Sequence, residues 1–165
     1  MTVSVEHSPL LTRHGYAHGF FGRRGGVSPA PYASLNFASA KGDSPSNVEQ
    51  NVALAAAALG VDPGRVYYLS QVHGVDVVEL DGTRSRAEVM MLRGDVTLSL
   101  VPGVTCGVRS ADCGTLLIAD PKRGTVAAVH AGWRGVELGV VPAAIAALVA
   151  RGSRAEDLLV AIGPH

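Results

Sequence analysis

Apolar residues recur at helical spacing at Val48, Val52, Ala55 and Leu59, which predicts an amphipathic helix from near Ser46 to Gly60. Ser46 and Glu49 are spaced as a capping box after Pro45, and Gly60 supplies the stop. Beyond Gly64 the period shortens. Compact apolar runs rich in β-branched residues predict strands over 66–70, 75–80, 96–100, 104–109, 115–119 and 125–130. Asp120-Pro121-Lys122-Arg123-Gly124 has turn chemistry, so 115–130 reads as a hairpin. After Gly135 a second helix is expected to about Arg151, packing through Val136, Val140, Ile145, Leu148 and Val149, followed by a last strand over 158–162. The segment 16–41 is rich in Gly, Pro, Ser and Asn. It reads as an irregular surface stretch with one or two short strands, of the kind that carries binding groups.

This alternation of strands and helices predicts an α/β fold. No repeat, low-complexity tract or charged linker interrupts the 165 residues, so a single domain over 1–165 with one sizeable core is expected. Hydrophobic residues make up 47% and charged residues 17%, which excludes a disordered polyelectrolyte. The formal net charge is zero. That gives no broad positive field for nucleic acid or an anionic membrane, and leaves a small molecule as the expected partner, with the oligomeric state open. No basic region followed by an apolar one opens the chain, so a cytoplasmic location is expected. The apolar run 136–150 is too short to cross a bilayer and is broken by Glu137 and Pro142. Cys106 and Cys113 are expected as free thiols.

Three residues that bear chemistry stand where an apolar run gives way to a glycine turn. His73 lies in Gln71-Val72-His73-Gly74, Cys113 in Ala111-Asp112-Cys113-Gly114, and His130 closes a strand before Ala131-Gly132-Trp133-Arg134-Gly135. Each has an ordinary reading: a turn histidine, a small buried thiol, a hydrogen-bonded strand-end imidazole. Strand ends are also where α/β proteins assemble sites. Two imidazoles and a thiolate suit zinc, with a fourth tetrahedral position left open, although gaps of this length match no short zinc motif. Arg134 stands where a helix should begin, with backbone N–H groups able to hold an anion, or is a plain surface arginine. Asp112 is a candidate proton carrier or a turn former.

The ordered set QVHG, ADC, AVHAGWRG and IGP, after Gly25 to Asn36 with its GGVSxxxYxSLN pattern, resembles the YfiH-like, laccase-domain family from about Tyr16 to Pro164. The resemblance implies a mixed-sheet α/β/β/α sandwich and zinc held by His73, Cys113 and His130. It also implies purine nucleosides and phosphate as substrates: phosphorolysis of adenosine, inosine and methylthioadenosine, and deamination of adenosine. For such an enzyme the residues' own chemistry makes Asp112 and Arg134 the candidate catalytic groups, Arg134 holding phosphate with Arg109 the weaker candidate, and makes Arg109 and Asn36 the candidate substrate contacts. The sequence departs from the family pattern at Gly114-Thr115 after ADC and at Asn51-Val52 in the first helix. Members continue past IGP, so the chain is expected to lack the family's C-terminal part.

Three other readings use the same residues. The older family name implies a copper-dependent polyphenol oxidase, but a multicopper centre needs several histidine clusters, and His7, His14, His18 and His165 lie in end segments without ligand-pair spacing. Cys113 with His130 would also serve a cysteine hydrolase. A non-catalytic binding or cell-wall quality-control role is the fourth.

Overall fold

The computed structural model describes residues 2–38 and 42–164, so the expectations for residues 39–41 of the loop segment and for His165 lie outside the described residues. By packing, the chain divides into two compact units, Met1–Pro63 and Gly64–His165. Among the described residues no helix is long and apolar enough to cross a membrane.

In the first unit, β1 (Val5–Glu6) pairs antiparallel with β2 (Phe20–Phe21). Helix α1 (Pro9–Arg13), which the sequence pattern did not signal, starts at Ser8, whose hydroxyl accepts from the Leu11 N–H. Helix α2 spans Pro45–Leu59 and ends, as expected, on Gly60 in the left-handed region at φ 67. Its start differs from expectation. Pro45 occupies the first turn, where its missing N–H costs nothing, and Ser44 is the N-cap. Ser46 therefore lies inside the helix rather than at its cap, with its hydroxyl hydrogen-bonded to that of Ser44 at 2.8 Å. The buried face is Val48, Asn51, Val52, Ala55 and Ala56, with Leu59 only half-buried.

Asn51 belongs to that face because the adjoining loop needs a polar anchor. Its Oδ1 accepts from the Val27 N–H at 2.9 Å, and its Nδ2 donates to Ser28 Oγ at 2.9 Å and the Asn36 carbonyl at 2.8 Å. Asp43, also buried, accepts from Ser28 Oγ at 2.6 Å, Asn36 Nδ2 at 2.8 Å, Asn47 Nδ2 at 3.2 Å and the Ser44 N–H at 2.8 Å.

The second unit is a mixed α/β structure. Its main sheet has the order β4 (Val77–Glu79), β5 (Val96–Ser99), β8 (Thr125–Ala131), β7 (Gly114–Asp120), β9 (Leu159–Ile162); β4 and β5 run parallel and the other neighbours antiparallel. The expected hairpin is the β7–β8 pair, with Asp120 opposite Thr125. Asp120 Oδ1 fixes its turn by accepting from the N–H groups of Lys122 and Arg123.

Alternation along the strands separates two faces. Val96, Leu98, Leu116, Ile118, Ala127 and Val129 form one core with Val140, Ala144 and Leu148 of helix α5 (Val140–Ala150). On the other face Thr97 Oγ1 donates to the Gly107 carbonyl beside β6 (Thr105–Cys106). There β6 pairs in parallel with β3 (Val66–Tyr67). Tyr67, Leu69, Leu80, Val89 and Val104 make a second core under helix α3 (Arg86–Met90), which was not foreseen and which carries a true capping box between Ser85 and Glu88. Burial pushes the Cys106 thiol up to about 12. Both cysteines are free, as expected.

The expected single helix from Gly135 to Arg151 is two. Helix α4 (Trp133–Leu138) is separated from α5 by Gly139 at φ 89. The apolar run suggested one continuous stripe, but the turn at Gly139 breaks it: Val136 on α4 is 58% exposed, while α5 buries Val140, Ala144 and Leu148 and leaves Val149, off that stripe, 44% exposed.

Candidate metal centre

Strand register brings the three candidate donors to one end of the main sheet. His130 is the penultimate residue of β8, opposite Thr115, and Cys113 directly precedes β7, whose first residue Gly114 pairs with Ala131. His73 lies in the turn before β4, which enters the sheet at the same end. The ligand atoms of His73, Cys113 and His130 all lie within 4.8 Å of one another. Among the described residues this is the one group of three or more His, Cys, Asp or Glu side chains so placed. The rings of His73 and His130 meet edge to face, with centroids 4.9 Å apart. His130 is buried, Cys113 half-buried and His73 exposed, so the cluster opens toward solvent on the His73 side.

Two local features allow this approach. His73 adopts φ 60, a left-handed conformation in which histidine is uncommon but tolerated better than bulky residues. Gly132 is packed against all three donors: a Cβ there would stand 2.8 Å from His73 Cδ2, 3.2 Å from Cys113 Sγ and 3.5 Å from His130 Cε1. Any side chain would occupy the space in which the donors meet.

Behind the cluster is a carboxylate that sequence reasoning missed. Asp95, fully buried just before β5, accepts from His130 Nδ1 at 2.8 Å and from the N–H groups of Val72 at 3.1 Å, His73 at 3.0 Å and Gly74 at 2.7 Å. Burial, the largest single influence, raises its pKa. The bonds from His130 and the three amides together outweigh burial and hold the carboxyl below its ordinary value.

The other sequence candidates are distributed differently. Asp112 is exposed, next to Cys113. Arg134 is exposed on the first turn of α4, its guanidinium 5.2 Å from the Trp133 ring centre. The helix start expected to hold an anion belongs to a helix of only six residues. Arg109 braces the fold: its N–H donates to Gln71 Oε1 at 2.7 Å, its carbonyl accepts from Gln71 Nε2 at 2.6 Å, and its guanidinium donates to the Leu69 carbonyl at 3.0 Å and lies over Tyr68. Asn36 belongs to the first unit, where its Nδ2 donates to Asp43 and the Ala38 carbonyl and its Oδ1 accepts from the Ala38 N–H. Of the remaining histidines, His7 bonds to the His18 carbonyl, and His18 uses both ring nitrogens on the backbone of Ser8 and Tyr16.

Residues 17–165 match the family described as multi-copper polyphenol oxidoreductase laccase. A purine nucleoside phosphorylase of Streptomyces coelicolor is 42% identical over 153 residues, covering 93% of this chain and 62% of that protein. Another, of Streptomyces griseus, is 42% identical over 165 residues, covering 99% of this chain and 65% of its own length. Among solved structures, the hypothetical protein YfiH of Bacillus licheniformis superposes with a TM-score of 0.83 at 27% identity, over 88% of this chain and 57% of that one. YlmD from Geobacillus stearothermophilus gives 0.80 at 31% identity, over 88% and 56%. The chain thus spans less than two thirds of the length of the relatives it matches. With the family pattern running from residue 17 onward and this fold beneath it, the chain belongs to the multi-copper polyphenol oxidoreductase laccase family, in its YfiH-like form.

Proposed function

We propose that this chain carries the metal centre of a purine nucleoside enzyme, with zinc held by His73, Cys113 and His130. Its reactions would be phosphorolysis of adenosine, inosine and methylthioadenosine, together with deamination of adenosine. The convergence of two imidazoles and a thiol from three separate turns carries this reading. The donor set fits: nitrogen and sulfur ligands bind zinc at about 2.0–2.3 Å, so side chains already within 4.8 Å of one another need only a small inward adjustment. Zinc bound there supplies a Lewis acid beside the substrate.

The chain's own groups supply the rest. His73, on the exposed side, borders the route by which substrate enters. Arg134, exposed on the turn after Gly132, offers a guanidinium fork to phosphate, and stacking on Trp133 restricts its orientation. The Asp112 carboxylate carries a proton between substrate and solvent. Arg109 and Asn36 were candidates for substrate contact; their polar atoms are engaged in the contacts above, which favours Arg134 over Arg109 as the phosphate group. Small-molecule substrates and a cytoplasmic location complete the proposal. The names of the Streptomyces relatives support the nucleoside assignment.

Copper is the second reading, favoured by the family's description. Imidazole and thiolate also accept copper, but a multicopper centre needs more donor groups than this cluster supplies.

Zinc-loaded protein incubated with adenosine and phosphate should yield adenine and ribose 1-phosphate, and adenosine alone should yield inosine, both separable by chromatography. His130→Ala should lose both reactions. Arg134→Ala should lose phosphorolysis more than deamination. Inactivity of the zinc-loaded protein on every purine nucleoside tried overturns the proposal, and oxidation of a phenol by the copper-loaded protein alone would replace it with the second reading.

A further inference from the structure

We propose that Asp95 is the positioning residue of the cluster, one carboxylate that sets the ring tautomer of His130 and the backbone conformation of His73 together. The inference rests on the metal reading above and extends it to a residue behind the donors. Asp95 Oδ1 receives both His130 Nδ1, at 2.8 Å, and the His73 N–H, at 3.0 Å, while Oδ2 receives the N–H groups of Gly74 and Val72. A carboxylate only accepts, so the proton of the His130 ring resides on Nδ1 and the Nε2 lone pair is left for the cluster. Three consecutive amides aimed at one anion form a nest, and the nest holds the turn in which His73 has φ 60.

The carboxylate is itself fixed by strand pairing. The Asp95 carbonyl accepts from the His130 N–H at 2.8 Å, and its own N–H donates to the Asp76 carbonyl at 3.1 Å. Donors 57 residues apart in the chain, His73 and His130, are thereby referred to the same two oxygen atoms. The turn is also packed closely from the side of α4. A Cβ on Gly135 would stand 3.1 Å from the Gly74 carbonyl, so the absence of a side chain at Gly135 lets α4 approach the turn that Asp95 holds from the other side.

Nitrogen NMR of the metal-free protein tests this directly. The ring of His130 should be the Nδ1–H tautomer, and the amides of His73 and Gly74 should exchange slowly despite lying in a turn. In Asp95→Asn the side chain keeps one acceptor oxygen and gains an NH2, so His130 should show mixed tautomers and the two amides should exchange fast. Zinc affinity, read by competition with a chelator, should fall by roughly 10–100-fold. An Nε2–H tautomer in the parent, or unprotected amides at His73 and Gly74, overturns the proposal. So does an Asp95→Asn protein with the parent's tautomer and zinc affinity. The parent measurements decide the matter if the variant does not fold. Failure of the parent to bind zinc, with the tautomer and exchange as expected, overturns the metal reading and leaves the positioning of the two histidines standing.

Discussion

Asp43 in the first unit and Asp95 in the second are both buried carboxylates that accept hydrogen bonds from four groups. Both are held below the ordinary carboxylate value. For Asp43 the Ser28 hydroxyl contributes most, followed by Asn36; for Asp95 the bonds from His130 and three amides prevail over burial. They differ in who donates. Asp43 gathers a hydroxyl, two amide side chains and one backbone N–H, groups whose capacity is spent in closing the loop. Asp95 gathers an imidazole with a second nitrogen still to offer and the turn that carries another histidine. A depressed carboxyl therefore does not mark a site by itself; the remaining valence of its partners does.

The largest expected effect separates the two directly. Asp95→Ala leaves the buried His130 ring and three partly buried amides without their acceptor; a buried unsatisfied group costs about 1–3 kcal/mol and a partly buried one less, so urea unfolding should show a loss on the order of 3 kcal/mol. Zinc content should fall with it. Asp43→Ala should also lower the urea midpoint but keep zinc at the parental level, and zinc loss in both variants would break the comparison. Next comes Gly132→Ala, whose Cβ would press on His73 and Cys113. Overpacking of about 1–3 kcal/mol, if borne by the metal-bound form, corresponds to roughly 5- to 150-fold in zinc affinity, whereas an unchanged affinity would mean that the donors do not close around Gly132.

Acid sharpens the contrast further. The folded pKa of Asp43 lies below its ordinary 3.8, so its stabilising contribution is fully present above that value and is lost as pH falls through the lower folded value. Urea midpoints should thus hold steady down to about pH 5 and decline below about pH 4, with a shallower decline in Asp43→Asn. The smallest effect is expected at Gly139, where φ is 89 and only Pro142 Cγ, at 3.9 Å, would meet a Cβ. Gly139→Ala should cost about 1–2 kcal/mol through backbone strain alone and lower Tm, with zinc binding untouched.

The clustering of His73, Cys113 and His130 was legible because each sits where an apolar run meets a glycine turn, a local signal, and because the motifs around them are specific. The β7–β8 hairpin was legible for the same reason: its turn chemistry lies within Asp120 to Gly124. Asp95 was not, since Arg93-Gly94-Asp95 before an apolar run reads as an ordinary turn, and its partners lie 21 to 23 residues away at the Val72–Gly74 amides and 35 residues away at His130. Asn51 escaped because a polar residue on an apolar helix stripe has no local sign of the loop it anchors. The break at Gly139 was hidden by the apolar residues on both sides, which periodicity alone assigns to one helix. The capping box at Ser85 and Glu88 went unread because the five-residue helix it starts is too short to show a period.

Zinc stoichiometry tests the central claim most directly. Metal-free parent and Cys113→Ala proteins, equilibrated with the same zinc solution, desalted and measured by elemental analysis, should differ: about one zinc per chain in the parent, and far less in the variant, which keeps only the two imidazoles. Equal zinc in the two proteins would contradict a centre built from His73, Cys113 and His130.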